Sequence, residues 1–575
     1  MLGGLNVSTR RLPHTKSSMA KRDPALFGAL VAIWIIFAIF IFLPIFKLLA
    51  TTFVVDGSIS FANLGKIMSK TYNIRALINS LTLATAVAVT GTVLGYIFAL
   101  AVTRTPLPAF FKALLGAVTI LPLISPPFTS SISLTLALGP NGMLLKALGI
   151  TDFSIYGFIG TWMSETLTYF PVAFMVITAV LNTMSANLDD AALSLGSSRW
   201  RMFRTITIPL SLPGIGNSIL LLFGASLADF ATPLILGGHT FPVLPTEAYL
   251  MITGMFDLKG GASLSFLLLL PALLVFILQR VLIGKKSYVS VTGKNGAKSG
   301  FGKLPHVLSV IISVLCTLTV LLILYLYAII LWGSFVKVWS VDNSFTLQHF
   351  RYVFAHGKKA ITDTLLIALL STVIGSILGV LIGYIAQRKN FFGKRFFEFG
   401  SMLNYALPGT VVGIAYIIAF NQKPILLTGT LAILVAAYVF RYYATGIRSV
   451  IASLAQIDPA LEEASLSLGA SSVRTFTHVT IPLIIPAVLA GMRYLFIHSM
   501  TAISATIFLV SVRWTLLTTR ILESMTELQF SQASAFSIVL IVIVFIVDAI
   551  MLWLMKWSTR RFTQQENISY EKIGA

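Results

Sequence analysis

Among the ionisable residues inside otherwise apolar stretches of this 575-residue chain are Glu165, Asp229, Arg441, Arg493 and His498. Such groups are costly to hold in apolar surroundings and are functional candidates by default. Glu165 and Asp229, with the hydroxyls of Ser226 and Thr501, offer the carboxylate and hydroxyl oxygens that suit a hard, highly charged cation. The arginines suit a phosphate or a carboxylate instead. The plain alternative places Glu165 and Asp229 near one interface and lets Arg441 snorkel to the other, with His498 a packing residue. Motifs for other chemistries are missing. The sequence has no Cys/His zinc spacing, no H-E-x-x-H and no G-x-S-x-G elbow. The glycines between Gly293 and Lys303 are wrongly spaced for a phosphate-cradling P-loop. No catalytic set, bound cofactor or metal-ligand set can be named, and a hydrolase built on Glu165 or Asp229 has no supporting motif.

The elements that hold these residues follow from composition. The chain is 57% hydrophobic and 11% charged, with a mean hydropathy of +0.90. Soluble domains carry about 25% charged residues, so a soluble enzyme, a disordered chain and a disulfide scaffold are all excluded. The single cysteine, Cys316, cannot form an intrachain bridge. A net charge of +21 would suggest nucleic acid in a soluble protein, but here Lys and Arg cluster in short loops between apolar runs. No basic stripe interleaved with aromatics is present, so no nucleic-acid partner is expected.

Apolar runs near the roughly 20 residues needed to cross a bilayer occur at 26–53, 79–102, 113–138, 155–182, 213–236 and 263–283. A second set lies at 306–335, 363–386, 396–420, 425–450, 484–511 and 533–557. This predicts an all-α polytopic membrane protein with about twelve transmembrane helices and both termini on the same side. Pro-rich Leu121–Phe128 and Ala406–Gly413 break or kink the third and ninth runs. A cytoplasmic N-terminus puts about 26 basic residues inside and about 12 outside, the bias that the positive-inside rule requires. The first run is too long and too far from the start for a cleaved signal peptide, and reads as an uncleaved anchor.

The chain is also duplicated. The segment starting at Leu188 recurs at Leu461, 273 residues later, with matches at Ala191/Ala464, Gly196/Gly469, Pro209/Pro482 and Pro213/Pro486. Upstream, Gly91, Gly95 and Arg104 correspond to Gly375, Gly379 and Arg388. The expected plan is an N-terminal tail (1–25), a six-helix half (26–283), a Gly/Lys/Ser-rich linker (284–304), a second six-helix half (305–558) and a C-terminal tail (559–575). Each repeated segment predicts a short amphipathic helix, about 185–197 and 458–470, between the fourth and fifth spans. Leu188, Ala191, Ala192 and Leu195 share one helical face. Acid pairs Asp189-Asp190 and Glu462-Glu463 stand near the helix starts, where the macrodipole favours them. Asp458 reads as an N-cap, as does Ser185 in the first copy. Gly196 and Gly469 suit a left-handed C-terminal turn. The prolines that follow predict an interruption before the next span.

The pattern acid-Ala-(Ala/Ser)-x-x-x-Gly followed by Ile-Pro resembles the signature loop of type I binding-protein-dependent ABC importer permeases. The resemblance runs over essentially the whole chain. The fused double form is similar to the ferric-iron group, as is Leu227–Gly238 to a broader set that includes permeases for 2-aminoethylphosphonate, sugar phosphates, polyamines and thiamine. It implies a permease in a bacterial inner membrane, without enzymatic activity of its own. It implies partners too: two copies of a cytoplasmic ABC ATPase that binds ATP and Mg, and an extracytoplasmic solute-binding protein. ATPase coupling then falls on Asp189, Asp190, Ala191, Ala192 and Gly196, and on Glu462, Glu463, Ala464, Ser465 and Gly469. Asp190 stands where Glu is usual and Ser465 where Ala is usual. Ferric iron is the first-choice cargo, with Glu165, Ser226, Asp229, Arg493, His498 and Thr501 as candidates for the pathway. The alternatives are a phosphonate, sugar phosphate or polyamine cargo, or an ion-coupled secondary transporter.

Overall fold

The computed structural model describes residues 24–140, 142–150, 152–283 and 304–573. The expected N-terminal tail lies outside these residues except for Pro24 and Ala25, and the expected linker except for Leu304.

The first half comprises α1 (Pro24–Phe53), α2 (Thr71–Arg104), α3 (Ala109–Ile124), α4 (Thr129–Leu138), α5 (Phe158–Thr183), the short α6 (Ala186–Ser194), α7 (Arg199–Leu227) and α8 (Leu258–Ile283). The second repeats the plan as α9 (His306–Gly333), α10 (Lys358–Arg388), α11 (Lys394–Ala406), α12 (Gly409–Phe420), α13 (Leu431–Leu454), α14 (Ala460–Ser467), α15 (Ser472–Thr501) and α16 (Phe530–Ile573). The expected C-terminal tail thus continues α16 as helix rather than leaving it.

Among the described residues nine helices are long and apolar enough to cross a membrane, and two bent pairs raise the count to eleven. The twelfth expected crossing is α13, a 24-residue helix whose Arg441, Arg448, Tyr442 and Tyr443 make it too polar to pass on composition. Both bent pairs are proline breaks. The chain turns by 100° after α3 and by 106° between α11 and α12. Ser125 and Leu407 precede prolines and are extended, at ψ 160 and 142, the conformation that a following pyrrolidine ring enforces.

In each half the second, fourth and fifth spans form a three-helix core: α2, α5 and α7, then α10, α13 and α15. Glycines make the approach possible. A Cβ on Gly91 would collide with Leu222, and one on Gly375 with Leu495, its repeat equivalent. The first spans cross over. α1 packs on α12 of the second half, and α9 on α2, α3 and α4 of the first. Trp34 stacks on Phe396 at 5.6 Å and Phe40 on Phe440 at 5.2 Å. A π-helical turn at Ala38–Phe42 presents the Phe40 carbonyl, which accepts hydrogen bonds from Tyr416 at 2.7 Å and Asn404 at 3.4 Å.

Two two-stranded hairpins follow the first span of each half, β1 (Val54–Val55) with β2 (Ser58–Ile59), and β3 (Val336–Val338) with β4 (Asp342–Phe345). These hairpins are not among the elements expected from the sequence. Asp56-Gly57, both at positive φ, is the turn signal that marks the first.

The expected interruption before the fifth spans is absent. α7 runs through Pro209 and Pro213, and α15 through Pro482 and Pro486. A proline clashes with the carbonyl one turn earlier. Here the preceding turn widens to π-helix, at Phe203–Thr207 and Phe476–Thr480, so the backbone bends around the ring without breaking. These spans therefore begin and end earlier than expected, and Asp229 lies in the break after α7 rather than within a span.

Candidate functional site

One acid of each repeated helix, α6 and α14, ties it to the bundle. Asp189 forms a buried ion pair with Arg104 at the end of α2. Glu462 accepts from Arg388 Nε at the end of α10, at 3.2 Å, and from the hydroxyls of Thr480 at 3.1 Å and Tyr384 at 3.4 Å. Asp189 and Glu462, expected among the ATPase-coupling residues, point inward as anchors, because each meets an arginine that ends the second span. Arg104 and Arg388 were visible as a repeated pair, but their role was not. Ser465 also turns inward, its hydroxyl 2.9 Å from that of Thr475.

The opposite face is bare. Asp190, Ala191, Glu463 and Ala464 are exposed, and Leu195 and Leu468 are 86% and 90% exposed. Gly196 and Gly469 take φ of +79 and +85. Each closes a Schellman turn, with Ser197 N–H on Ala192 O at 3.0 Å and Ala470 N–H on Ser465 O at 3.2 Å. Asp458 Oδ1 accepts from Ala460 N–H at 2.9 Å, whereas Ser185 occupies the N-cap position without a side-chain bond. The helices proper are shorter than expected, with these caps filling out the ranges.

A second constellation lies within the bundle. Ser226 on α7 donates to Glu165 Oε2 on α5. Asp229 Oδ1 accepts from the backbone N–H groups of Ala231 and Thr232, at 3.1 and 3.4 Å, and caps the helical turn that runs on to Gly237. Glu165, Ser226 and Asp229 are thus brought together. The other pathway candidates are not part of this group. Arg493 is bound to Asp548 of α16, with Nη2 to Oδ2 at 2.9 Å, which ties the last two spans. His498 lies between the rings of Tyr442 and Tyr494, and the Thr501 hydroxyl donates to its own helix at Ile497. Arg441 donates to the Leu407 carbonyl at the α11–α12 break, at 3.0 Å.

The sequence matches the family described as binding-protein-dependent transport system inner membrane component twice, over residues 91–288 and 375–564. The chain belongs to this family. It is 34% identical over 94% of its length, and 80% of the relative's, to the ferric transport system permease protein FbpB of Actinobacillus pleuropneumoniae. A putative ferric transport system permease protein, FbpB 1 of Haemophilus influenzae, is 35% identical over 87% of the chain and 80% of the relative. A half-size relative shows the duplication from outside: the molybdenum transport system permease protein ModB of Escherichia coli is 31% identical over 32% of the chain but 82% of its own length.

In this permease a cavity of about 390 Å³ opens between the halves, at the end that carries α6 and α14. Asn217, Gln279 and Arg280 line it from the first half, Glu398, Ser401 and Arg448 from the second.

Proposed function

We propose that the chain is the membrane subunit of an ATP-driven importer for ferric iron delivered by an extracytoplasmic solute-binding protein. Two copies of a cytoplasmic ATPase, which carries the ATP and Mg, dock on α6 and α14, and both termini of the chain are cytoplasmic. The observation that carries the mechanism is the pair of anchored helices with bare leucine-bearing faces at one end of the bundle. Burying a leucine contributes about 1.5–3 kcal/mol, so Leu195 and Leu468 are natural anchors for a cleft on each ATPase. ATP-driven closure draws α6 and α14 together. The Arg104–Asp189 and Arg388–Glu462 pairs pass that movement to α2 and α10, closing the cavity at this end and opening the pathway at the other. The cargo reading draws on the named ferric relatives, which align over most of the chain.

Uptake of radiolabelled ferric iron by cells with and without the gene, with ATP depletion as control, tests the whole. Uptake should need both gene and ATP. The docking role is tested by Leu195→Asp with Leu468→Asp, which should abolish uptake while the chain still inserts in the membrane. Normal uptake by that variant removes α6 and α14 from the coupling mechanism.

A further inference from the structure

Glu165 and Asp229 each use only one carboxyl oxygen. Glu165 Oε1 and Asp229 Oδ2 are buried without a hydrogen-bond partner, in residues only 0% and 4% exposed. Buried carboxyl oxygens rarely go unpartnered, because desolvation without compensation is costly. Tyr169 stands one turn along α5 from Glu165, on the same face. Tyr169 lies within electrostatic reach of Glu165, Asp229 and Arg441.

The repeat shows that the fold does not require these groups. In the second half, 273 residues on, Tyr438, Tyr442 and Ala502 stand where Glu165, Tyr169 and Asp229 stand in the first. The chain breaks after α15 as it does after α7, yet no carboxylate caps that break. Tyr438 is satisfied by the Thr506 hydroxyl at 2.6 Å. One half therefore builds the same scaffold without acids, while the other keeps two acids and a phenol converging on one region.

We propose that Glu165 Oε1, Asp229 Oδ2 and the Tyr169 hydroxyl form a transit site that takes the ferric ion as it crosses the membrane, a step that rests on the ferric reading above. Two carboxylates and one phenolate carry three negative charges, which outweigh the one positive charge within reach, that of Arg441, and leave a negative site for a cation where water screens little. All three donors are hard oxygens. Loading is coordination only: the ion keeps its oxidation state, and any proton still on the three groups leaves to solvent. Among the described residues no three His, Cys, Asp or Glu side chains converge as a metal group. A sparse site of this kind suits cargo that must leave again.

The test uses the assembled permease–ATPase complex titrated with ferric nitrilotriacetate. A visible phenolate-to-iron charge-transfer band should appear in the wild type, vanish in Tyr169→Phe and persist in Tyr438→Phe. Losing an outer-shell partner already lowers metal affinity roughly 10–100-fold, so Glu165→Gln should weaken binding by at least about tenfold and slow ATP-driven iron uptake with it. No band in the wild type, or a band that survives Tyr169→Phe, overturns the site. If the wild type imports iron and Tyr169→Phe and Glu165→Gln do so at the same rate, the site alone falls. If the wild type imports no iron, the cargo reading falls and takes the site with it.

Discussion

Arg104 and Asp189 lie 85 residues apart in sequence and are each about 1% exposed, so loss of either leaves the other's charge buried without its ion partner. Removing one member of a buried pair costs about 3–5 kcal/mol. Asp189→Ala should therefore loosen α6 markedly. Glu462→Ala should do less to α14, because the Arg388–Glu462 pair is about 10% exposed and Arg388 also bonds the Ile457 carbonyl at 2.9 Å. Limited proteolysis at each repeated segment measures both, with the first variant expected to be cut faster. The charge-exchanged double variant, Arg104→Asp with Asp189→Arg, should recover part of the loss. The acids were legible in the sequence as residues near a helix start. Their partners were not, since no local periodicity links positions so far apart. Glu165, Ser226 and Asp229 were legible only as polar intrusions in apolar runs, whereas Tyr169 drew no notice because a tyrosine in a span is ordinary.

At the scale of elements, Gly469 shows how a single φ shapes a docking helix. Its φ of +85 is one that side chains resist, although the space around it is open. The penalty for Gly469→Ala is thus conformational, about 1–2 kcal/mol. Gly469→Asn should be milder, because asparagine tolerates that region. Uptake assays on the two variants should rank Asn above Ala, and equal defects would indicate that the partner, rather than the turn, senses the side chain. The left-handed turn could be read from sequence because glycine after an amphipathic stretch has few other uses. The continuous α7 and α15 could not, because proline usually ends a helix and the π turn that accommodates it has no residue signature. The β3–β4 hairpin offers a pH test. Asp342 is held down at about 2, first by the Ser344 hydroxyl and backbone N–H, at 3.1 Å for the latter, and then by Lys337. A carboxylate depressed in the folded state stabilises above its unfolded pKa and loses that support as pH falls toward the folded value. Amide exchange in the hairpin should therefore be independent of pH-driven opening near neutrality and gain an opening contribution as the pH approaches about 2.

For the whole molecule, the two halves are distinct in sequence but interlocked in space. Duplication and the helical runs were visible from spacing and hydropathy alone. The exchange of first spans was not, because the bonds that fix it join Phe40 to Asn404 and Tyr416, 364 and 376 residues away. Each half lends its first helix to the other, so neither half buries its own surface fully when alone. Half-size relatives such as ModB indicate that covalent fusion is not needed for the family's fold. Residues 1–283 and 304–575 produced as two chains should therefore assemble, co-purify and restore ATP-dependent uptake. Omitting residues 1–53 from the first chain should damage the second half most, because Phe396, Phe397 and Phe440 lose the aromatic partners Trp34, Phe37 and Phe40. Burial of one aromatic side chain contributes about 1.5–3 kcal/mol, so three lost together remove about 5–9 kcal/mol, comparable with the whole stability of a marginally stable protein, about 5–15 kcal/mol. Protease protection of α11–α13 in the truncated pair is the decisive measurement. If those helices stay as protected as in the intact chain, the crossover is a packing convenience and the halves fold independently.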